Sequence, residues 1–350
     1  MIFPRPARVL SLLVWVAMFS PTVHAAASRS SPTRPSAVAG TYRGAIVIDA
    51  ATGNVLFENN ADVISPPASM TKLMTFAVLY DKLADHSLSL QTAVTVDASD
   101  ARMGGTQVYL KEKEVFSVEE LIYAMMIQSA NDAAHALAHT AAGSVEAFVA
   151  MMNAKAQALG MTNTTFRSPH GLPPSSRRIA DGDLTSPRDF ALLSRHLLVN
   201  TDVLTYASVR KRDFGTGRPD GGQHMENHNK LLGKVAGVDG LKTGYTVGAG
   251  YCLSATAERN GRRVIAVIMG AVGPKGAETD LGKTRDLRAI ELIEKGFAAL
   301  PASSAPFAGT APRQNPAPSP ITAAPLPSGE KKADPAAPPA IKFSLPGSKK

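Results

Sequence analysis

Cysteine is almost absent from this 350-residue chain, which contains only Cys252. A single cysteine cannot form an internal disulfide, so the fold has to be held together by its packed core. Cys252 lies in an apolar stretch between Tyr251 and Leu253, which predicts a buried small hydrophobe and not a nucleophile. Hydrophobic residues make up 44% of the chain and charged residues 19%, a composition typical of a globular protein.

Apolar runs long enough to cross a membrane are also missing from the sequence. The nearest is Val9–Phe19, which follows two arginines and is too short to span a bilayer as a helix. The basic start, the short apolar run and the small residues behind it predict a signal peptide over residues 1–25, cleaved near Ala25 or Ala27. We therefore expect an exported protein, periplasmic or extracytoplasmic, with no evident C-terminal membrane anchor. An uncleaved N-terminal anchor is the alternative.

A strong excess of one charge is absent from the body of the chain. The formal net charge is +8, but residues 301–350 hold six Lys or Arg against two acids, so half of the excess lies there. A short basic segment broken by prolines is poorly suited to reading a nucleic-acid groove, and we expect no nucleic-acid partner. No carboxylate or cysteine cluster accompanies His224 and His228, so we expect no metal and no organic cofactor.

The pattern of strands and helices predicts a single α+β domain over residues 44–300. Ala45–Asp49 and Val55–Glu58 read as a hairpin near the start, and Tyr251–Ala257 and Arg263–Gly270 read as a second hairpin near the end. The second hairpin is predicted to turn at Glu258-Arg259-Asn260-Gly261. Helices lie between the two hairpins, and one of them begins at a predicted capping box formed by Ser117 and Glu120. We therefore expect an antiparallel sheet in which the N-terminal hairpin joins the C-terminal strands, with helices flanking it.

Two segments outside this domain have a different composition. Residues 26–43 contain serine, arginine and proline and are predicted to be a linker. Residues 301–350 contain 12 of the 25 prolines together with alanine and serine, which predicts a disordered tail. The positive charge of this tail suggests the hypothesis of a weak contact with anionic polymers of the cell envelope.

Ser69 and Lys72 have the spacing that serine acyl transfer requires. At the start of a helix, positions i and i+3 lie on one face, so the amine of Lys72 can reach the hydroxyl of Ser69. The helix N-terminus favours negative charge near Ser69 and lowers the pKa of Lys72, which improves the amine as a base. Two other serine–lysine pairs in the chain have the same spacing, so this pattern alone is weak.

Two further motifs strengthen the interpretation. Ser129-Ala130-Asn131 follows a predicted helix over Leu121–Gln128, and Lys242-Thr243-Gly244 follows Val238-Asp239-Gly240-Leu241. In this order, the three motifs resemble the Ser-x-x-Lys, Ser-x-Asn and Lys-Thr-Gly signature of the serine penicillin-recognising enzymes. Further matching stretches, among them Gln128–Ala134 and His170-Gly171-Leu172, resemble the D-alanyl-D-alanine carboxypeptidases, the low-molecular-mass penicillin-binding proteins. The resemblance covers about residues 44–300 and implies a β-lactamase/DD-peptidase-like fold.

The resemblance implies that the enzyme removes the terminal D-Ala from peptidoglycan stem peptides and that β-lactams acylate it as inhibitors. It implies catalytic roles for Ser69 as nucleophile, Lys72 as general base and Ser129 as proton relay. It also implies a set of substrate-binding residues, namely Asn131, Lys242, Thr243, Gly244, Tyr245 and Arg285. His170 is interpreted as a structural turn residue.

Three other functions are alternatives to the carboxypeptidase. A class A β-lactamase adds a glutamate in a Glu-x-x-Leu-Asn loop, and no such pentapeptide lies between Asn131 and Lys242. A DD-endopeptidase that cleaves peptidoglycan crosslinks uses the same serine chemistry and stays open. A non-catalytic cell-wall-binding protein would have no need of the intact motif residues. Tyr245 stands where some relatives carry histidine, which is expected to alter pH dependence or substrate preference and not the class of reaction.

Overall fold

The computed structural model of the protein describes Met1, residues 41–274 and residues 280–310. The predicted signal peptide beyond Met1, most of the predicted linker and residues 311–350 of the predicted tail lie outside the described residues. Within the described ranges, no helix combines the length and the apolar character needed to cross a membrane.

Nine strands and eight helices of the described residues are named here in chain order. The strands are β1 (Gly44–Asp49), β2 (Val55–Asn59), β3 (Ala93–Thr95), β4 (Val115–Ser117), β5 (Lys211–Phe214), β6 (Gln223–Glu226), β7 (Val238–Thr246), β8 (Gly250–Arg259) and β9 (Arg262–Ala271). The helices are α1 (Lys72–Ala84), α2 (Ala98–Ala101), α3 (Val118–Tyr123), α4 (Asn131–Ala142), α5 (Val145–Ala158), α6 (Pro187–Asn200), α7 (Leu204–Ala207) and α8 (Lys283–Ala299).

The main sheet has the strand order β2-β1-β9-β8-β7, with every neighbouring pair antiparallel. The N-terminal hairpin therefore joins the C-terminal strands through β1 and β9, which confirms the predicted α+β fold. The hairpin between β8 and β9 turns at Asn260 and Gly261, both with positive φ (52° and 74°), as a two-residue type I′ turn requires. Strand β7 lies at one edge of the sheet.

Alternate residues of the sheet bury their side chains in two different cores. Val264, Ala266 and Ile268 of β9 pack with α8 on one face. Ile265 and Val267 face the other way and join the larger core formed by the helices. Both faces of the sheet are covered, which explains why β9 is apolar almost throughout instead of alternating with polar residues.

The helical part departs from the prediction next to the second motif. The predicted helix over Leu121–Gln128 ends its α-helical geometry at Tyr123, and Ala124–Gln128 form a π-helical turn. Ser129 then takes a left-handed conformation with φ of 66°. Such wider turns occur often at functional sites. Here the π-helical turn and the left-handed Ser129 separate α3 from α4, which begins at Asn131.

The described part of the predicted tail stays on the surface of the domain. The amide of Phe307 donates a hydrogen bond to the carbonyl of Gly261 at 2.8 Å, and the Phe307 ring lies 5.3 Å from the guanidinium of Arg263. Contact with the domain therefore continues beyond the boundary at Leu300 that composition predicts.

Candidate active site

Ser69 lies on a short 3-10 turn (Ala68–Thr71) that leads directly into α1. Pro67 precedes this turn, and the following helix buries an apolar face that includes Leu73 and Phe76. This packing holds the turn in place, because the helix cannot shift without disturbing the core. Ser69 is thereby presented to the cleft from a rigid element.

The amine of Lys72 is fully buried and lies close to three oxygen atoms. Its Nζ is 3.1 Å from Ser69 Oγ, 2.7 Å from Asn131 Oδ1 and 2.7 Å from the carbonyl oxygen of His170. Burial lowers the pKa of Lys72 well below its usual range, and the positive charge of Lys242 lowers it further. Both effects favour the neutral amine, the form that can accept a proton.

A second buried lysine, Lys242, lies beside Ser129, the serine of the second motif. Lys242 on β7 donates a hydrogen bond to Ser129 Oγ at 2.9 Å and contacts the carbonyl oxygen of Thr243 at 3.3 Å. Burial, followed by the nearby charge of Arg285, lowers the pKa of Lys242 to about 7. Each serine of the site is therefore paired with a buried lysine whose pKa is lowered.

Asn131 occupies the first position of α4 and uses both ends of its side-chain amide inside the protein. Its Oδ1 accepts a hydrogen bond from Lys72, and its Nδ2 donates to the carbonyl oxygen of Gly104 at 2.8 Å. The backbone amide of Asn131 donates to the carbonyl oxygen of Thr106 at 2.8 Å. The second N–H of the side-chain amide takes no part in these hydrogen bonds.

Gly244 allows β7 to approach the turn that carries Ser69. A Cβ atom at this position would lie 2.5 Å from the carbonyl oxygen of Pro67 and 3.1 Å from the backbone nitrogen of Ser69. The first distance is too short for any side chain, so the third motif requires glycine here. The next residue, Tyr245, is partly exposed and stacks on Tyr251 with ring centroids 4.2 Å apart.

The predicted residues meet at one cleft of about 660 Å³. Six of them line it directly: Ser69, Ser129, Thr243, Gly244, Tyr245 and Arg285. Lys72, Asn131 and Lys242 lie behind this lining and reach it through the hydrogen bonds given above. Residues separated by more than 200 positions in the chain are thus brought together in the arrangement that serine acyl transfer needs.

The sequence profile of the D-alanyl-D-alanine carboxypeptidase family, peptidase family S11, matches residues 30–273. The chain belongs to this family. Among its relatives, the D-alanyl-D-alanine carboxypeptidase DacF of Bacillus subtilis is 34% identical over 279 residues, which cover 80% of this chain and 70% of DacF. DacC of Escherichia coli is 39% identical over 261 residues, which cover 73% of this chain and 61% of DacC. The chain thus spans about three fifths to 70% of the length of these relatives.

Solved structures of a D-alanyl-D-alanine carboxypeptidase and of a penicillin-binding protein have the same fold. Penicillin-binding protein D2 of Listeria monocytogenes, in its ampicillin-bound form, superposes with a TM-score of 0.62 at 34% identity, covering 73% of this chain and 97% of that one. The carboxypeptidase DacD of Francisella tularensis gives a TM-score of 0.66 at 28% identity, covering 76% of this chain and 72% of that one. The predicted family, fold and enzyme class are confirmed.

Two contributions to this S11 site were not predicted from the sequence. The buried carboxylate of Asp183 accepts hydrogen bonds from Thr71 Oγ1 (2.8 Å), from the Ser168 hydroxyl (3.0 Å) and from the backbone amides of Arg167 and Ser168 (2.7 and 3.0 Å). It ties the nucleophile turn to the loop that carries His170. The contact of His170 with Lys72 uses its carbonyl oxygen, and its ring accepts from the local backbone, so it acts as a turn residue.

Three residues of types that can bind metals lie close together but are not among the residues that line the cleft. Ligand atoms of Asp97, Asp100 and His139 lie within 4.8 Å of one another. Asp97 and Asp100 form a capping box at α2, and Asp100 also pairs with His135 at 2.6 Å. Local contacts of the fold account for this arrangement. In the described residues His224 pairs with Asp213 at 2.7 Å.

Proposed function

We propose that the protein is a serine D-Ala-D-Ala carboxypeptidase that removes the terminal D-Ala of peptidoglycan stem peptides through an acyl-enzyme on Ser69. One observation carries this proposal. Two of the three oxygens around Lys72 Nζ, on Asn131 and His170, can only accept hydrogen bonds, whereas the third is the Ser69 hydroxyl. A neutral amine has two N–H donors and one lone pair, so its donors serve the two acceptors and its lone pair is left for the Ser69 proton.

Acylation follows from this arrangement. Lys72 takes the hydroxyl proton while Ser69 Oγ forms a bond to the carbonyl carbon of the penultimate D-Ala. The negative charge then develops on the carbonyl oxygen, where the backbone N–H groups of Ser69 and Tyr245 act as donors. The close approach of Gly244 to the nucleophile turn supports this pairing of N–H groups.

Departure of D-Ala requires a proton at the amide nitrogen of the scissile bond. Ser129 supplies it from its hydroxyl and regains a proton from the hydrogen-bonded ammonium group of Lys242. Thr243 and Arg285, which line the same cleft, bind the terminal carboxylate, and the free N–H of Asn131 holds the substrate amide. Water then hydrolyses the ester on Ser69. A β-lactam acylates the same serine, but the ester that it forms resists hydrolysis.

The setting of the enzyme is part of the proposal. The predicted signal peptide supports export and a role at the cell wall, in peptidoglycan maturation and cell shape. For the basic tail we keep the hypothesis of a weak contact with envelope polymers. Deleting residues 311–350 is expected to reduce retention in the envelope fraction, and unchanged retention would contradict it.

The test of the reaction is release of D-Ala from diacetyl-L-Lys-D-Ala-D-Ala by the purified protein. Ser69→Ala is expected to abolish release. Ser208→Ala is the matched control, because Ser208 precedes Lys211 with the same spacing but donates its hydroxyl to the carbonyl oxygen of Leu204. Release that persists in Ser69→Ala would refute the proposal. Absence of release together with penicillin labelling of Ser69 would favour the endopeptidase.

A further inference from the structure

Two aspartates and two histidines meet where α2 packs against α4. Asp97 is the N-cap of α2 and Asp100 lies within it, whereas His135 and His139 lie one turn apart on α4. His139 Nδ1 is 3.1 Å from Asp97 Oδ2, and His135 Nδ1 is 2.6 Å from Asp100 Oδ1. We call these four residues the α2–α4 cluster. Neither His224 nor His228, the histidines considered from the sequence, belongs to it.

The two carboxylates of the cluster have no permanent counter-charge. Asp100 is fully buried, and the side chain of Asp97 is 40% exposed. In the described part of the chain neither of them pairs with a lysine or an arginine, and the histidines that face them carry a positive charge only when protonated. Burying a carboxylate costs free energy that a nearby cation offsets. The charge of the cluster therefore favours binding of a cation.

Hydrogen bonds hold the two carboxylates in fixed orientations. Asp97 Oδ1 accepts from the backbone amides of Ser99 (2.7 Å) and Asp100 (2.9 Å), which leaves Oδ2 facing His139. The backbone amide of Asp97 donates to Asp100 Oδ2 at 2.9 Å, and His135 contacts the other oxygen of Asp100. Outer hydrogen bonds of this kind orient the ligands of metal sites in proteins. The local contacts that hold the cluster together thus also preorganise it for an ion.

We propose that Asp97, Asp100 and His139 bind a divalent transition-metal ion of the Zn²⁺ class, and that His135 orients Asp100. An imidazole nitrogen with two carboxylate oxygens suits Zn²⁺, whereas Mg²⁺ and Ca²⁺ take oxygen ligands. Ligand atoms of a tetrahedral Zn²⁺ site lie about 3.4 Å apart. Those of the three residues lie within 4.8 Å of one another, so the half-exposed Asp97 and His139 have to move only slightly. The Nδ1 lone pair of His139 faces the ion, its proton resides on Nε2, and water completes the coordination.

The ion would connect the two segments that hold Asn131. α4 begins at Asn131, eight residues before His139. The chain that follows α2 supplies the carbonyl oxygens of Gly104 and Thr106, which accept hydrogen bonds from Asn131. An ion bound to both α2 and α4 fixes these segments against each other. Its role is therefore structural: it stabilises the support of Asn131 and does not contact the substrate.

The test is calorimetric titration of Zn²⁺ into the full protein, prepared without a polyhistidine tag and stripped of metal with a chelator. Wild-type protein is expected to bind a single ion, and His139→Ala and His135→Ala are each expected to weaken binding at least about tenfold. His224→Ala is the matched control, because His224 pairs with Asp213 at 2.7 Å but belongs to no group of three ligands in the described residues. It is expected to leave the affinity unchanged.

A second readout uses stability and is independent of D-Ala release. Zn²⁺ is expected to raise the Tm of wild-type protein with increasing concentration and to leave the Tm of His139→Ala unchanged, because only an ion bound to the folded state stabilises it. His139 is 41% exposed, so its replacement is expected to be compatible with folding. Equal Zn²⁺ affinity in wild-type protein and His139→Ala, or a Tm increase that His139→Ala retains, would overturn the proposal and leave the proposed function untouched.

Discussion

Replacing Lys242 with methionine removes a buried amine whose pKa the fold lowers to about 7, mainly through burial. In the unfolded chain the same amine titrates near 10.5. Between these two values the unfolded chain binds a proton at Lys242 that the folded protein does not. The free energy of unfolding of the wild-type protein therefore rises with pH across this window, and Lys242→Met removes this contribution.

The size of the effect follows from the two pKa values. One pKa unit corresponds to about 1.4 kcal/mol, and between pH 7 and pH 9.5 the difference in proton binding integrates to about two units. Wild-type protein is therefore expected to gain about 3 kcal/mol of stability relative to Lys242→Met over this range. Loss of the Lys242 charge also raises the pKa of Lys72, which adds to the difference in the same direction.

Urea unfolding of both proteins at pH 7.0, 8.2 and 9.5 measures this quantity as a difference of differences. The comparison cancels the tyrosines and exposed lysines that both proteins share. The Ser129 hydroxyl loses its partner in Lys242→Met, which shifts the variant by an amount that depends little on pH. A stability difference that stays constant within about 0.5 kcal/mol between pH 7.0 and 9.5 would refute the lowered pKa, because linkage requires the slope.

Three further substitutions test other parts of the site. Gly244→Ala is expected to slow acylation by labelled penicillin about 100-fold, because the added Cβ would displace the edge strand from the nucleophile. Urea unfolding is expected to stay cooperative, and near-normal acylation would contradict the prediction. Thr71→Val leaves the buried Asp183 one donor short and should cost about 1–3 kcal/mol in urea unfolding at pH 7, whereas a loss below about 0.5 kcal/mol would show that water replaces the hydroxyl. Arg285→Gln removes a charge that lowers the pKa of Lys242, so the pH-dependent gain in stability should begin at higher pH; an unchanged onset would exclude that coupling.

Local signals were sufficient for most of the fold. The Asn260-Gly261 turn predicts its own hairpin, and the cap at Ser117 predicts the start of α3, because both rest on contacts within a few residues. The joining of the two distant hairpins could be predicted only because unpaired strand edges must find partners. The π-helical turn at Ala124–Gln128 has no sequence signature, since its residues are ordinary helix formers.

Some residues of the site can be identified from sequence motifs, whereas others can be recognised only once the fold brings them together. Serines and lysines at fixed spacing are recognisable because their chemistry requires those residue types. Asp183 is not recognisable from the sequence. It accepts a hydrogen bond from Thr71, which lies 112 residues away in the chain, and no spacing rule connects the two residues. The carbonyl oxygen of His170 could not be predicted at all, since any residue supplies one.

The charges of the site link substrate binding to the state of its lysines. Burial lowers the pKa of both lysines, the charge of Arg285 lowers that of Lys242 further, and the charge of Lys242 lowers that of Lys72 further. In the proposed mechanism a substrate carboxylate held by Thr243 and Arg285 offsets the guanidinium charge, so we expect it to raise the pKa of Lys242. The protonated form of Lys242 then gains population when Ser129 has to deliver a proton to the departing D-Ala. On this argument the terminal carboxylate is part of the proton relay, and a peptide that lacks it loses rate as well as affinity.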